Sequence, residues 1–221
     1  VRGITVTIDG PAGAGKSTVA RRLADRLGYV YLDTGAMYRA LTIGVEAAGI
    51  DPDDGDAVAS VLDRVRIDLT PQGVRLDGVD VSGAIRTPAV DRQVSQVSAH
   101  PAVRAWMHER QRELARGGGV VIEGRDAGTA IAPQAERKFF LTASLGERAR
   151  RRAADLAGRG IAVDLAGLTA DIERRDRLDS ERTVAPLVVP PDAEVLDTTG
   201  QGIDAIVGVL EARCVEVAGR R

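Results

Sequence analysis

Gly10-Pro11-Ala12-Gly13-Ala14-Gly15-Lys16-Ser17 is the stretch with the plainest chemistry in the chain. It matches G-x-x-x-x-G-K-[ST], in which glycines let backbone N–H groups turn inward around a phosphate chain. A helix starting near Lys16 would aim its positive end at the same anion. Lys16 is then placed to bridge the β- and γ-phosphates, and the Ser17 hydroxyl to ligate Mg²⁺. A bare glycine turn is the alternative. The strand-like run before the loop and the helical spacing after it argue for a nucleoside triphosphate site that also holds Mg²⁺.

What such a loop does with its nucleotide is a separate question. A guanine-reading switch needs a segment such as N-K-x-D, and the only other lysine, Lys138, sits in Arg137-Lys138-Phe139. Motor and transporter ATPases place Asp-Glu at a strand end, whereas here Val120-Val121-Ile122-Glu123 runs into Gly124-Arg125-Asp126. A small kinase is left. A kinase acting on a hydroxyl needs a carboxylate to take the proton, but one acting on a phosphate must instead bring two anions together. The remedy is arginine.

Of the 30 basic residues all but Lys16 and Lys138 are arginines, so position must decide which ones matter. Arg39 falls about one and a half turns into the helix after the second strand. Arg125 lies just beyond a core strand, where open α/β sheets bind ligands. Arg175, Asp179 and Arg182 extend the helical stripe of residues 165, 168 and 172, so an inward face turns from apolar to ionic. They form either a structural ion-pair cluster or a ligand site. Asp33 ends a strand on the loop side and either reaches the metal, directly or through water, or caps the next helix together with Thr34. Arg148, Arg150, Arg151 and Arg152 lie on one helix, as a lid over ATP or as a solvated face.

The elements that position these residues alternate. A strand at Ile4–Ile8 precedes the loop, and Val19, Ala20, Leu23, Ala24 and Leu27 follow at helical spacing up to a Gly28 C-cap. Strands are expected at 29–32, 119–123, 138–142 and 194–196. Helices are expected from Thr34 to Gly49, over 57–65, from Pro101, over 147–156, from Asp164 and over 203–214. Strands alternating with helices predict an α/β fold whose parallel sheet is flanked by helices. Between them, residues 66–83 look like small antiparallel strands with turns at Pro71-Gln72-Gly73 and Asp77-Gly78. An inserted β-containing lobe over about 61–95 follows, and the arginine-rich stretch over about 147–162 resembles a short lid. Trp106 and Met107 read as core, His108 as solvent-facing and Cys214 as a buried small residue.

Composition limits the function further. The 221 residues suit one domain with a lobe-sized insertion. Aromatics at 3% and a net charge of −2 speak against a nucleic-acid partner. One cysteine and two histidines exclude a disulfide and leave little for a transition-metal cluster. No apolar run suggests a membrane span, and the first residues lack a signal-peptide pattern, so a cytoplasmic location is expected.

Five blocks, taken together, resemble the bacterial cytidylate kinase family. They are Asp9 to Thr18, Asp33-Thr34-Gly35-Ala36-Met37-Tyr38-Arg39, Val81 to Thr87, Gly124 to Thr129, and Arg175-Asp176-Arg177 through Val184-Ala185-Pro186-Leu187. The resemblance spans essentially the whole chain and implies a P-loop NTPase fold with a nucleoside-monophosphate-binding lobe. It implies transfer from MgATP to CMP or dCMP, with UMP a poorer acceptor, and a monomer acting on small nucleotides. By resemblance, Gly10 to Thr18 and Arg151 bind ATP, and Lys16, Arg39, Arg125 and Arg182 act in catalysis. Thr34, Ser95, Arg104 and Asp126 surround the pyrimidine. Arg175 and Asp179 hold the ribose, and Asp33, Tyr38, Arg39, Arg125 and Arg182 complete the CMP site. Cytosine presents an amino donor, which suits Asp126, whereas uracil would aim a carbonyl at it. The family often carries Gly where this chain has Ser17, and the hydroxyl strengthens the Mg²⁺ assignment. Rival readings are a kinase for UMP, AMP or a small hydroxylated metabolite, a nucleotide-dependent RNA-binding or assembly factor, and a non-catalytic relic.

Overall fold

Apolar alternation sets the centre of the molecule. Ile4, Val6 and Ile8 point to one face of the first strand and are fully buried, as are Val121, Phe139 and Leu141 on its neighbours. The computed structural model describes residues 3–70 and 73–219. Among these, five strands form a parallel sheet: β1 (Thr5–Asp9), β2 (Val30–Asp33), β6 (Val120–Glu123), β7 (Arg137–Thr142) and β8 (Glu194–Asp197), in the order β2-β6-β1-β7-β8. The register pairs Ile8 with Glu123 and Asp9 with Phe140, so the strand ends bearing Asp9, Asp33 and Glu123 share one edge.

Helices cover both faces, as parallel sheets require. On one face α1 (Lys16–Leu27) and α8 (Ile203–Ala218) bury Val19, Leu23, Val207, Leu210 and Cys214 against β1 and β7. On the other, α2 (Thr34–Ala47) and α5 (Pro101–Ala115) share a cluster of Met37, Leu41, Val45, Val103 and Met107. Gly28 ends α1 in the left-handed conformation as expected, with φ 65°.

A separate antiparallel sheet of β3 (Ile67–Thr70), β4 (Gly73–Leu76) and β5 (Val79–Asp80) packs Val74 and Leu76 on Ala36 and Ala40 of α2. Its Asp77-Gly78 turn is present, with Asp77 at φ 51°. The Pro71-Gln72 part of the other expected turn lies outside the described residues. The helix expected over 57–65 is only α3 (Gly55–Ala59), and Val61 and Leu62 turn inward beyond it. Conversely, α4 (Pro88–Ala99) was not expected. Its Thr87 cap and Pro88 start are standard signals, but Val90, Val94 and Val97 are poor helix formers that packing overrides. The sheet and the start of α4 thus fall within the 61–95 range.

The arginine-rich helix is α6 (Leu145–Ala157), and α7 (Leu165–Glu181) packs on it. On the α7 stripe Ile172 and Asp179 are buried and Arg175 half-buried, whereas Leu165 is exposed. Arg182 caps the end of α7, so the predicted switch to an ionic face is observed. No helix among the described residues is long and apolar enough to cross a membrane.

Candidate active site

Beyond β1 the chain must turn sharply beside β7. Gly10 adopts φ 143°, and a Cβ there would lie 2.0 Å from the Leu141 carbonyl oxygen, so no side chain fits. Gly13 likewise has φ 78° and packs against Arg148. The loop delivers the N-terminus of α1, with Lys16 buried and its Nζ donating to the Pro11 carbonyl at 2.7 Å. Burial, reinforced by the Arg125 charge, pulls the Lys16 ammonium down to about 7. An anion beside it would restore the charged form.

The strand ends supply oxygen donors next to this loop. Ser17 Oγ donates to Glu123 Oε1 at 2.7 Å, and the Tyr31 hydroxyl donates to Glu123 Oε2 at 2.5 Å. Asp33 Oδ1 accepts from Ala36 N at 2.9 Å and so caps α2, while the residue also lines the cavity beside the loop. Burial first and then the Glu123 charge raise the Asp33 carboxyl. A hydroxyl and two carboxylates that repel each other make a hard-oxygen corner suited to Mg²⁺, which takes one or two carboxylates plus phosphate oxygens. The residues fit the ion. Glu123 was not singled out from sequence, although an acidic residue ending the strand beside the loop strand was the available signal.

Opposite the loop, five arginines converge. Arg39 Nη2 lies 2.6 Å from Asp91 Oδ1, Arg175 Nη1 donates to the same oxygen at 3.2 Å, and Arg152 pairs with Oδ2. Arg125 Nε donates to Asp179 Oδ2 at 3.0 Å, while Asp179 Oδ1 accepts from Ser95 Oγ at 3.2 Å and lies 3.7 Å from Arg182. The arginines around them hold Asp91 and Asp179 below the usual carboxylate range despite burial. Asp91 was not anticipated, because the helix carrying it was not.

A third group lies deeper. Asp126 Oδ2 accepts from Arg104 Nη2 at 2.5 Å and contacts His108 Nε2 at 2.8 Å, and Oδ1 meets Arg182 Nη2 at 3.4 Å. The Arg104 guanidinium is fully buried, 5.3 Å from the Tyr38 ring centre. Thr34 lines the same space, but its hydroxyl donates to the Glu123 carbonyl at 2.6 Å. Residues of all three groups, His108 and Tyr31 excepted, line one cavity of about 700 Å³ together with the phosphate loop from Ala12 onward.

Residues 6–214 match the cytidylate kinase family. The chain belongs to that family. A cytidylate kinase of Geobacillus kaustophilus is 51% identical over 224 residues, covering 100% of this chain and 98% of the relative. A bifunctional pantoate ligase/cytidylate kinase of Synechococcus sp. (strain WH7803) is 55% identical over 212 residues, covering 93% of this chain. This chain spans 43% of that bifunctional protein's length. A gluconokinase from Sinorhizobium meliloti, 17% identical, has the same fold over 99% of this chain and 95% of its own, with a TM-score of 0.51. As a family member the chain is a nucleoside monophosphate kinase with a P-loop fold.

The kinase's α6 arginines divide by position. Arg148 Nη1 donates to the Ala12 carbonyl at 3.0 Å and pairs with Asp176, whose Oδ1 accepts from Ala12 N at 3.1 Å. Arg151 bonds Thr198 through Oγ1 at 2.9 Å and the carbonyl at 2.6 Å, beside Gly15. Arg152 turns to Asp91, and of these four only Arg150 keeps to the surface, paired with Glu147.

Two expectations fail on α5. His108 is buried, not solvent-facing, because α5 carries a second inward stripe of Arg104, His108 and Gln111 beside the apolar one. Their i, i+4 and i+7 spacing was the signal. Trp106 is only half-buried, with the Arg110 guanidinium 3.5 Å over its ring, whereas Met107 and Cys214 are buried as expected. Asp9 also went unassigned. Its two oxygens accept from Ala127 N at 2.8 Å and Gly128 N at 2.7 Å, fixing the single wide turn Ala127–Ile131 that follows Asp126. Burial raises its carboxyl to about 6.

Proposed function

We propose that this cleft moves the terminal phosphoryl group of ATP to the phosphate of CMP or dCMP, giving ADP and CDP or dCDP in one in-line step. The observation that carries this is the meeting of the phosphate loop with the Arg39, Arg125, Arg175 and Arg182 guanidinium groups in one cavity. The loop and helix start of residues 10–18, through the backbone N–H groups of residues 13–18, hold the ATP phosphates with Lys16 and Arg151. Ser17, Glu123 and Asp33, the last directly or through water, hold Mg²⁺. Bound there, Mg²⁺ would supply charge neutralisation to the phosphates that Lys16 and the loop hold.

Arg39, Arg125 and Arg182 draw the acceptor phosphate toward Lys16, offsetting the repulsion between the two nucleotides. That phosphate is already largely ionised near pH 7, so no general base is required. Arg175 and Asp179 orient the ribose, and Tyr38 backs the base site. Ser95, Arg104 and Asp126 read the cytosine edge, Asp126 accepting from the amino group. UMP is the poorer acceptor because its carbonyl faces that carboxylate. Residues 61–95 serve as the acceptor-binding lobe, and residues 147–162 as a lid that excludes water. The enzyme works as a cytoplasmic monomer on small nucleotides, with no nucleic-acid or membrane partner.

Coupled ADP release with CMP, dCMP, UMP and AMP, together with identification of the diphosphate formed, tests the reading. The highest kcat/KM is expected for CMP or dCMP. A higher value for AMP or UMP, or ADP released with no new diphosphate, would overturn it.

A further inference from the structure

His108 does not line the cavity; it stands behind Asp126, on the next turn of α5 from Arg104. Its Nε2 lies 2.8 Å from Asp126 Oδ2 and 3.2 Å from Arg104 Nη2. A lone pair on Nε2 would face a carboxylate oxygen at that separation and be repelled, so Nε2 carries the proton and donates. Oδ2 therefore receives two strong donors, Arg104 at 2.5 Å and His108. Among the described residues Oδ1 meets Arg182 Nη2 alone, at 3.4 Å, outside the usual range of an N–H···O bond.

The two oxygens of one carboxylate are thus made unequal. Oδ2 is saturated and pinned to α5, and Oδ1 keeps its acceptor capacity. We infer that His108 is a specificity-determining positioning residue: by fastening Asp126 Oδ2 it presents Oδ1 to the exocyclic amino group of the acceptor base and so sets discrimination between an amino and a carbonyl substituent. This rests on the reading of Asp126 as the base-facing acceptor. The His108 hydrogen bond is also the largest influence holding the Asp126 carboxyl down at about 2 against the cost of burial. A carboxylate that stays ionised accepts from an amino group and repels a carbonyl at all working pH values.

Asp126→Asn tests the underlying reading, and His108 variants test the inference. Both are assayed as kcat and KM for CMP and UMP, with thermal unfolding as the folding control. His108→Leu removes the donor, His108→Asn holds an amide too short to reach, and His108→Gln places an amide N–H near the position of Nε2. Loss of a hydrogen bond to a charged group corresponds to about tenfold or more. His108→Leu and His108→Asn should each raise the CMP KM about tenfold, leave kcat within about twofold and lower the CMP/UMP preference by a similar factor. His108→Gln should retain the preference within about threefold. If His108→Leu does not fold, the Asn and Gln pair decides. Equal behaviour of that pair, or an unchanged preference in His108→Asn, overturns the role of His108. An unchanged preference in Asp126→Asn overturns the base-reading role itself.

Discussion

Asp91 tests whether the arginines of this cleft are held ready for an anion. Its carboxylate gathers Arg39 from α2, Arg152 from α6 and Arg175 from α7, so three guanidinium groups from three helices share one counter-charge. Asp91→Asn leaves them facing one another. Breaking a buried pair costs about 3–5 kcal/mol. Here the side chains keep 18–22% exposure, which argues for the lower end once solvent screening is counted. A loss of about 2–3 kcal/mol should lower Tm by roughly 4–12 °C in a chain of this size. The effect on ligand binding has the opposite sign. A unit charge about 8 Å from a bound phosphate, at an effective dielectric near 20, repels it by about 2 kcal/mol. After screening, CMP should bind the variant about fivefold more tightly. Differential scanning fluorimetry across a CMP titration reads both quantities: a lower starting Tm and a larger CMP-induced rise. An unchanged Tm together with unchanged or weaker CMP binding would refute the reasoning.

Two further outcomes follow from other buried charges. Lys16→Ala should cut phosphoryl transfer by on the order of 10²–10³-fold or more while Tm does not fall, because a buried ammonium whose charged form is disfavoured gives the fold little; normal turnover would contradict its role. Asp9 has a folded value of about 6, above its ordinary one, so the native protein binds more protons than the unfolded chain between about pH 4 and 6, and stability from this group falls as pH rises through that window. Urea unfolding at several pH values should show Asp9→Asn flattening that slope, which is worth about 3 kcal/mol. An identical slope in the variant would remove the assignment.

The phosphate loop was legible because its chemistry is contiguous: eight residues make the whole anion cradle. Arg39, Arg125 and Asp179 were legible because each falls at a strand end or on a helical stripe whose phase the sequence displays. Glu123, Asp91 and Asp9 were not assigned. Glu123 acquires meaning only when β2-β6-β1 pairing sets it beside Ser17, and that register is a product of tertiary packing. Asp91 depends on α4, a valine-rich helix stabilised by its neighbours against weak local preference. His108 looked solvated because an amphipathic reading allows one buried face, while α5 buries two. Its partner Asp126 is 18 residues away in sequence. The three-stranded sheet was read correctly in place but merged with the start of α4, since both precede the next clear core element.

The location of the acceptor phosphate is the most direct test of the electrostatic account. A crystal structure with CMP and a non-hydrolysable ATP analogue should place that phosphate within hydrogen-bond distance of Arg39 and Arg125, facing Lys16 across the cleft. A pyrimidine nucleotide seated away from those guanidinium groups would contradict the account.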